Sequence, residues 1–358
     1  ATVRGEVPGA IDTSTVSAAS GSGRCSHHHT PAAAPAAASN DSSTIHFSAR
    51  ITAGFPVSSR PHDNQHMSPT STNAFDGAAR LADWGVIRAA GADAATFLQS
   101  QLTQDVTTLD AQRATLAGWC SAKGRLLASF VVWRPQREEF LLACSADVLP
   151  ATLKRLSMFV LRAKCKLSDA SAELPLFGVA GSSPPPWRCD EARIGLPTAQ
   201  GVARALSVGE MPATLDPAAW SWLEVGSGVP RITAATAEQF VPQMVNLELV
   251  GGVDFQKGCY PGQEVVARSQ YRGTLKRRAF VFDAAAPAVP GQELFHSADR
   301  EQPAGMVVNA ATWQGQHRLL AEVKLATLGS GTLHLGSADG ALLTRADMPY
   351  AVPLEAAA

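Results

Sequence analysis

The segment Gly251-Gly252-Val253-Asp254-Phe255-Gln256-Lys257-Gly258-Cys259-Tyr260-Pro261-Gly262-Gln263-Glu264-Val265-Val266-Ala267-Arg268 carries the densest chemistry in the chain. Between Lys257 and Glu264 it holds an ammonium, a thiol, a phenol, a carboxamide and a carboxylate, spaced by two glycines and a proline. Pro261 suits the first turn of a helix, and Glu264 with the apolar residues after it predicts a helix running toward Arg268. Cys259 then precedes a helix N-terminus, where free N–H groups and the dipole favour a thiolate, and Lys257 adds positive charge. Gly258 removes a Cβ that would restrict the loop or obstruct a ligand. From these residues alone two readings stand side by side. Cys259 is a reactive thiol or metal-ligating sulfur, or the segment is a Gly/Pro-rich turn holding a packed free cysteine.

Upstream, the pattern predicts a strand over 85–89, then Gly91-Ala92-Asp93 with Asp93 as N-cap, then a helix whose Phe97, Leu98 and Leu102 share an apolar face. Apolar runs at 114–120 and 125–133, joined by Ser121-Ala122-Lys123-Gly124, make a hairpin signal, and 139–143 extends the sheet. Leu149, Leu153, Leu156 and Val160 mark a second amphipathic helix. Residues 181–200, rich in Gly and Pro, read as a loop or linker, and 220–225 as a strand or the start of a helix. Beyond 276 come β-rich runs at 278–282, 305–308, 317–323 and 332–335, separated by turn residues, which predict a small closed β-barrel or a sandwich. The fold class is therefore α+β with a β end domain.

The 358 residues are 46% hydrophobic, with 30 Lys and Arg against 31 Asp and Glu. That balance excludes a protein whose whole surface wraps nucleic acid, while leaving room for a local basic cluster such as Arg268, Arg272 and Lys276-Arg277-Arg278. No apolar run approaches the roughly 20 residues of a membrane span. Six cysteines without a CxxC pair make neither a disulfide nor a zinc framework and fit a reducing compartment. Among them Cys120, Cys144 and Cys165 read as core residues, and Cys189 gives no functional signal. Residues 1–72 lack Lys and Trp, are crowded with Ala, Ser, Thr and Pro, and are predicted to be a disordered tail. Their arginines are balanced by acids and no apolar h-region is present, so neither a transit nor a signal peptide fits. His27-His28-His29 reads as incidental in such a tract. Met67, just before the composition changes, is the expected start of the native chain.

Lys257-Gly258-Cys259-Tyr260-Pro261-Gly262-Gln263-Glu264 resembles the K-G-C-Y-x-G-Q-E signature of the YgfZ family, folate-binding proteins involved in iron–sulfur cluster assembly or repair and in tRNA modification. Gly91-Ala92-Asp93 with the helix through Asp105 is similar to that family's N-terminal helix, and Cys120 to Arg125 to its hairpin. Phe240-Val241-Pro242-Gln243 with Asn246-Leu247 resembles its approach to the signature. The likeness spans about residues 80–280. The family in turn resembles the aminomethyltransferase (T-protein) of glycine cleavage, which holds tetrahydrofolate in a central channel. Between the tail at 1–72 and the β end domain at 276–358, expected as a barrel, the resemblance implies a folate-binding α+β region of two intertwined subdomains at 73–275, with the linker near 181–200 inside it.

It further implies tetrahydrofolate or a folate derivative as ligand, with Trp84 and Trp220 stacking on its flat rings and Asn246 and Glu248 on the pterin edge. Arg268 and its basic neighbours could receive the glutamate tail or a tRNA phosphate, or form an ordinary solvated face, and direct tRNA binding there is the weaker inference. Cys259 becomes the reactive centre and Lys257 its tuning charge, in a loop completed by Gly258, Tyr260, Gly262, Gln263 and Glu264. The implied partners are iron–sulfur enzymes such as tRNA-thiolating enzymes, in the cytoplasm. No permanently bound metal is expected, because one cysteine lacks the four ligands of a stable cluster. Paired aspartates in the T-protein hairpin are replaced here by Ala128 and Ser129, which disfavours aminomethyl transfer. A folate-dependent transferase or demethylase and a non-catalytic folate-binding scaffold are the alternatives.

Overall fold

Strands buried on both faces read as unbroken apolar runs, and residues 130–133 and 140–144 are such runs. The computed structural model describes residues 74–271 and 275–354. Strands β1 (Gly77–Arg80) and β2 (Trp84–Ala90) lead into the short helix α1 (Ala94–Gln99). The meander β3 (Ala114–Cys120), β4 (Leu126–Gln136) and β5 (Glu139–Ser145) follows, then helix α2 (Leu149–Val160). Next come β6 (Lys166–Asp169), β7 (Leu176–Ala180), β8 (Cys189–Asp190), β9 (Arg193–Ala199) and β10 (Val202–Val208). Helices α3 (Pro217–Gly226) and α4 (Gln263–Tyr271) precede β11 (Arg277–Ala284), β12 (Glu293–His296), β13 (Asp299–Trp313), β14 (Gln316–Lys324), β15 (Leu333–Leu335) and β16 (Ala341–Arg345).

These strands make two antiparallel sheets, ordered β3-β4-β5-β2-β6 and β1-β7-β10-β9-β8, and a closed barrel, β11-β14-β13-β12-β15-β16. The two-residue pleat sorts the first sheet into two cores. Ile87, Phe130, Val132, Phe140 and Leu142 pack with Phe97 and Leu98 of α1 and Leu149 and Leu156 of α2. Their neighbours Val86, Val131, Trp133, Leu141 and Ala143 pack with Leu206, Ile194, Trp220 and Leu223, next to the second sheet. A fully buried side chain such as Phe130 contributes about 2–3 kcal/mol. Closure at the β11–β16 pairing leaves the barrel without free edges and decides for the barrel over the sandwich.

Two expectations are corrected. The 181–200 stretch contains β8 and β9, because Ile194, Leu196 and Ala199 reach the core. Gly195 lets β9 approach the proline run: a Cβ there would fall 2.2 Å from the Pro185 carbonyl oxygen. Asp93 stands at the N-cap of α1 without capping it, and its Oδ2 instead accepts from the Lys164 N–H at 2.7 Å. The 220–225 stretch is helix, with Asp216 accepting from the Ala218 N–H at 2.8 Å. The readings for 1–72, His27 to His29, Met67 and Arg272 lie outside the described residues. Among the described residues no helix is long and apolar enough to cross a membrane.

Candidate functional site

Trp220 and Trp222 are two apart on α3, which places them about 200° apart around the helix. Trp222 belongs to the barrel side: its ring takes the Arg318 guanidinium at 4.3 Å and its Nε1 donates to Gln200 Oε1 at 3.1 Å. Trp220 lies flat against β7, where a Cβ on Gly178 would come 2.2 Å from its ring. Its other neighbours enclose a cavity of about 40 Å³, which includes Trp84 of β2, Ser129 of β4, Trp187, Arg204 of β10 and Arg231. That volume holds about three waters.

The chemistry of this cavity is unusual for its size. The indole Nε1 atoms of Trp84 and Trp220 are both buried without a hydrogen-bond partner. Glu224, one turn after Trp220, pairs with Arg231 Nε at 2.8 Å, and Arg231 also reaches Asp83 Oδ2 at 2.6 Å. Burial pushes the Glu224 carboxyl up while Arg231 pulls it back. The Arg231 guanidinium sits 5.0 Å from the centre of the Trp84 ring. Arg204 lies 5.3 Å over the Trp220 ring and donates its Nε to the Pro197 carbonyl at 3.0 Å. No carboxylate comes within ion-pair distance of Arg204 among the described residues, and burial lowers it to about 10. Trp187 completes the wall at φ +62, a backbone region that bulky residues rarely adopt.

The signature loop is built elsewhere, on the hairpin and the end of α1. Thr103 ties it down: its Oγ1 donates to the Gly252 carbonyl at 2.6 Å and accepts from the Gly118 N–H at 2.7 Å. The Lys257 ammonium is buried and donates to the carbonyls of Gln99 and Leu102, each at 2.5 Å. The Gln99 carbonyl ends α1, where a cation is favoured, and the Leu102 carbonyl lies three residues beyond it. Burial lowers Lys257 to about 8, opposed by Asp105, Asp254 and Cys259. Lys257 is thus an anchor of the loop as well as a charge near the thiol. Tyr260 is buried, 5.1 Å below the same ammonium, and burial raises its phenol. Cys259 is exposed. Helix α4 begins at Gln263, four residues later, so Cys259 does not stand directly at its N-terminus. Gly258 meets nothing within 4 Å of a built Cβ, so the fold itself does not require glycine there. Gln263 reaches the Lys257 carbonyl at 3.4 Å, and Glu264 is spent on an exposed pair with Arg268 at 3.0 Å.

The structure therefore brings Trp84 and Trp220 together and keeps them apart from the loop: no residue of 251–264 lines the cavity. Asn246 and Glu248 are not in it either. Asn246, at φ +59, donates Nδ2 to the Ala279 carbonyl at 2.7 Å, and Glu248 forms a buried ion pair with Arg278. Both join the segment before the loop to β11. Three members of the basic cluster are paired, Arg277 with Glu322, Arg278 with Glu248 and Arg268 with Glu264, while Lys276 is exposed. Cys120 and Cys144 are buried core thiols pushed up to about 12, as their strands predict, whereas Cys165 and Cys189 are half-buried. Sequence reading missed Arg204, Glu224, Arg231 and Trp187. Two signals were present: Glu224 follows Trp220 by four on one helix face, and Arg204 falls in register with the apolar Val202 and Leu206.

No protein-family model matches the chain. The tRNA-modifying protein YgfZ of Sodalis glossinidius is 30% identical over 309 residues, which cover 76% of this chain and 92% of that one. Its namesake from Edwardsiella ictaluri is 33% identical over 247 residues, covering 59% and 72%. An uncharacterized protein of Haemophilus influenzae is 32% identical over 207 residues, covering 56% and 71%. The crystal structure of glycine cleavage system aminomethyltransferase T from Bartonella henselae superposes with a TM-score of 0.59 over 76% of this chain and 85% of that one, at 13% identity. The fold is that of the T-protein, and by the length and identity of these alignments the chain belongs to the YgfZ family.

Proposed function

We propose that this chain binds tetrahydrofolate or a related folate between Trp84 and Trp220, and that it supports iron–sulfur enzymes that modify tRNA in the cytoplasm, with Cys259 as its reactive thiol. The observation that carries the folate reading is that two tryptophans lining one cavity both keep buried indole N–H groups without partners. Unpaired buried donors are costly, and an acceptor-bearing heterocycle would satisfy them. The indole faces suit a flat ring, Glu224 can accept from its N–H edge, and Arg204 offers guanidinium hydrogens to a carbonyl or carboxylate. A reduced folate, when bound, carries one-carbon units. Because the cavity is about 40 Å³, ring entry displaces side chains of the wall, and the strained, partly exposed Trp187 is the one best placed to yield. The iron–sulfur and tRNA reading rests on family membership and on the exposed thiol. Titration with tetrahydrofolate should quench tryptophan fluorescence saturably; no saturable quenching by any folate would remove this reading.

A second reading, a folate-binding scaffold without thiol chemistry, is favoured by the separation of Cys259 from the cavity lining. Complementation of a strain lacking its own protein with Cys259→Ala, read out on an iron–sulfur tRNA-thiolating enzyme, separates the two. Full rescue selects the scaffold.

A further inference from the structure

The end of α2 and the turn into β6 carry five exposed cations, Lys154, Arg155, Arg162, Lys164 and Lys166, and residues 148–168 contain no Asp or Glu. Among the described residues Arg155 alone of the five has a carboxylate within ion-pair distance, Glu238 at 4.0 Å, with both side chains about half exposed. Large apolar side chains stand among these charges: Met158, Phe159 and Leu161 are 61%, 45% and 87% exposed. They are not part of the inward stripe of α2, because Leu149 and Leu156 already fill the core beneath. On the outer side Lys154 and Met158 lie one turn apart, as do Arg155 and Phe159, so two adjacent strips each pair a cation with an apolar group. The platform is firm, since α2 packs on β2 and β6.

We propose that this surface docks RNA through an unpaired loop or single strand, the cations meeting phosphates and the Phe159 ring stacking on a base. Two carboxylates from neighbouring segments reach this surface, Asp93 at the Lys164 N–H and Glu238 at Arg155, against five cations, so its net positive charge complements a polyanion. Cations interleaved with an exposed ring and apolar groups are the arrangement that binds unstacked nucleotides, where phosphate contacts supply affinity and base stacking adds to it. A lipid surface fits less well, because a helix lying in a membrane needs its apolar face free, and that of α2 is buried. The residues ahead of the described region do not complement the patch either: 1–73 hold four arginines, Arg4, Arg24, Arg50 and Arg60, against four acids, Glu6, Asp12, Asp41 and Asp63. The inference is independent of the folate proposal, and its test contains no folate.

The full-length protein is titrated into a fluorescently labelled, unmodified tRNA anticodon stem-loop, with anisotropy read across a salt series. Replacing Lys154, Arg162 and Lys164 together by Ala should weaken binding at least tenfold and lower the slope of log K against log salt by about 2. Phe159→Ala should weaken it about tenfold with the slope unchanged. Lys276→Ala, an exposed lysine outside the patch, should bind like the parent. Circular dichroism melts matching the parent show that the variants fold, and Lys154→Arg should retain parental affinity. The proposal is overturned by absence of binding at low salt, by a triple variant that binds like the parent, by an equal loss in Lys276→Ala, or by indifference to Phe159→Ala. It is also overturned if the patch variants lose binding to anionic vesicles while keeping the RNA.

Discussion

Gly262 packs directly on Gly124: a Cβ at Gly262 would lie 2.6 Å from the Gly124 Cα and 2.4 Å from the Ser121 carbonyl oxygen. Both glycines also hold positive φ, +76 and +70, so the contact between signature loop and hairpin depends on two missing Cβ atoms. Gly262→Ala is therefore expected to destabilise the fold by more than about 1 kcal/mol, read as a lower urea midpoint. Gly258→Ala should leave that midpoint unchanged, because nothing lies within 4 Å of its new methyl. Loss of complementation by Gly258→Ala at parental stability would place the requirement for glycine outside this chain's own packing.

Lys257 makes stability depend on pH in the alkaline range. Its ordinary value of 10.5 is lowered to about 8 by burial. Between these values the native state has released the proton while the unfolded chain still holds it, so stability rises as pH rises through the window. The cost of the buried charge is fully present below the lower value. Urea midpoints measured across this range should climb for the parent and stay flatter for Lys257→Met; parallel curves would refute the assignment.

Thiol labelling of the native protein should distinguish the described cysteines by access. Cys259 is exposed, whereas Cys120 and Cys144 are buried with thiols pushed up to about 12. A brief pulse of alkylating reagent, followed by unfolding and peptide mass spectrometry, should find the Cys259 peptide modified first and the two core peptides modified only after denaturation.

The cavity residues should separate by the kind of bond each offers a folate. Trp84→Phe and Trp220→Phe keep a flat ring and lose one N–H, so each should weaken tetrahydrofolate binding about tenfold. Arg204→Met keeps the stem against Trp220 and removes the guanidinium, with an equal or larger effect. Glu248→Gln, outside the cavity, should leave affinity unchanged while lowering the urea midpoint through Arg278. Calorimetric titration of the four variants checks the pattern.

Local regularities carried most of the fold into the sequence. The hairpin 114–133 announces itself by two apolar runs around Ser121 to Gly124, and α2 by its spacing of leucines, because each depends on the period of its own element. Strands β8 and β9 were hidden among glycines and prolines, since their assignment depends on which residues meet the core rather than on composition. Glu248 and Arg278 looked like ligand groups and are each other's buried partners, a pairing across 30 residues that no local pattern records.

The eight residues from Lys257 to Glu264 by themselves determined the family, because a specific order of side chains is a property of the chain alone. Only the tertiary structure decided what those side chains do to one another. It drew Lys257 beneath the loop onto α1, left Cys259 at the surface, and gathered Trp84, Arg204, Trp220, Glu224 and Arg231 from three elements and the segment after α3 around one cavity. Spatial convergence of residues far apart in the chain is set by sheet order and packing, and those are settled only when the whole chain competes for a single core.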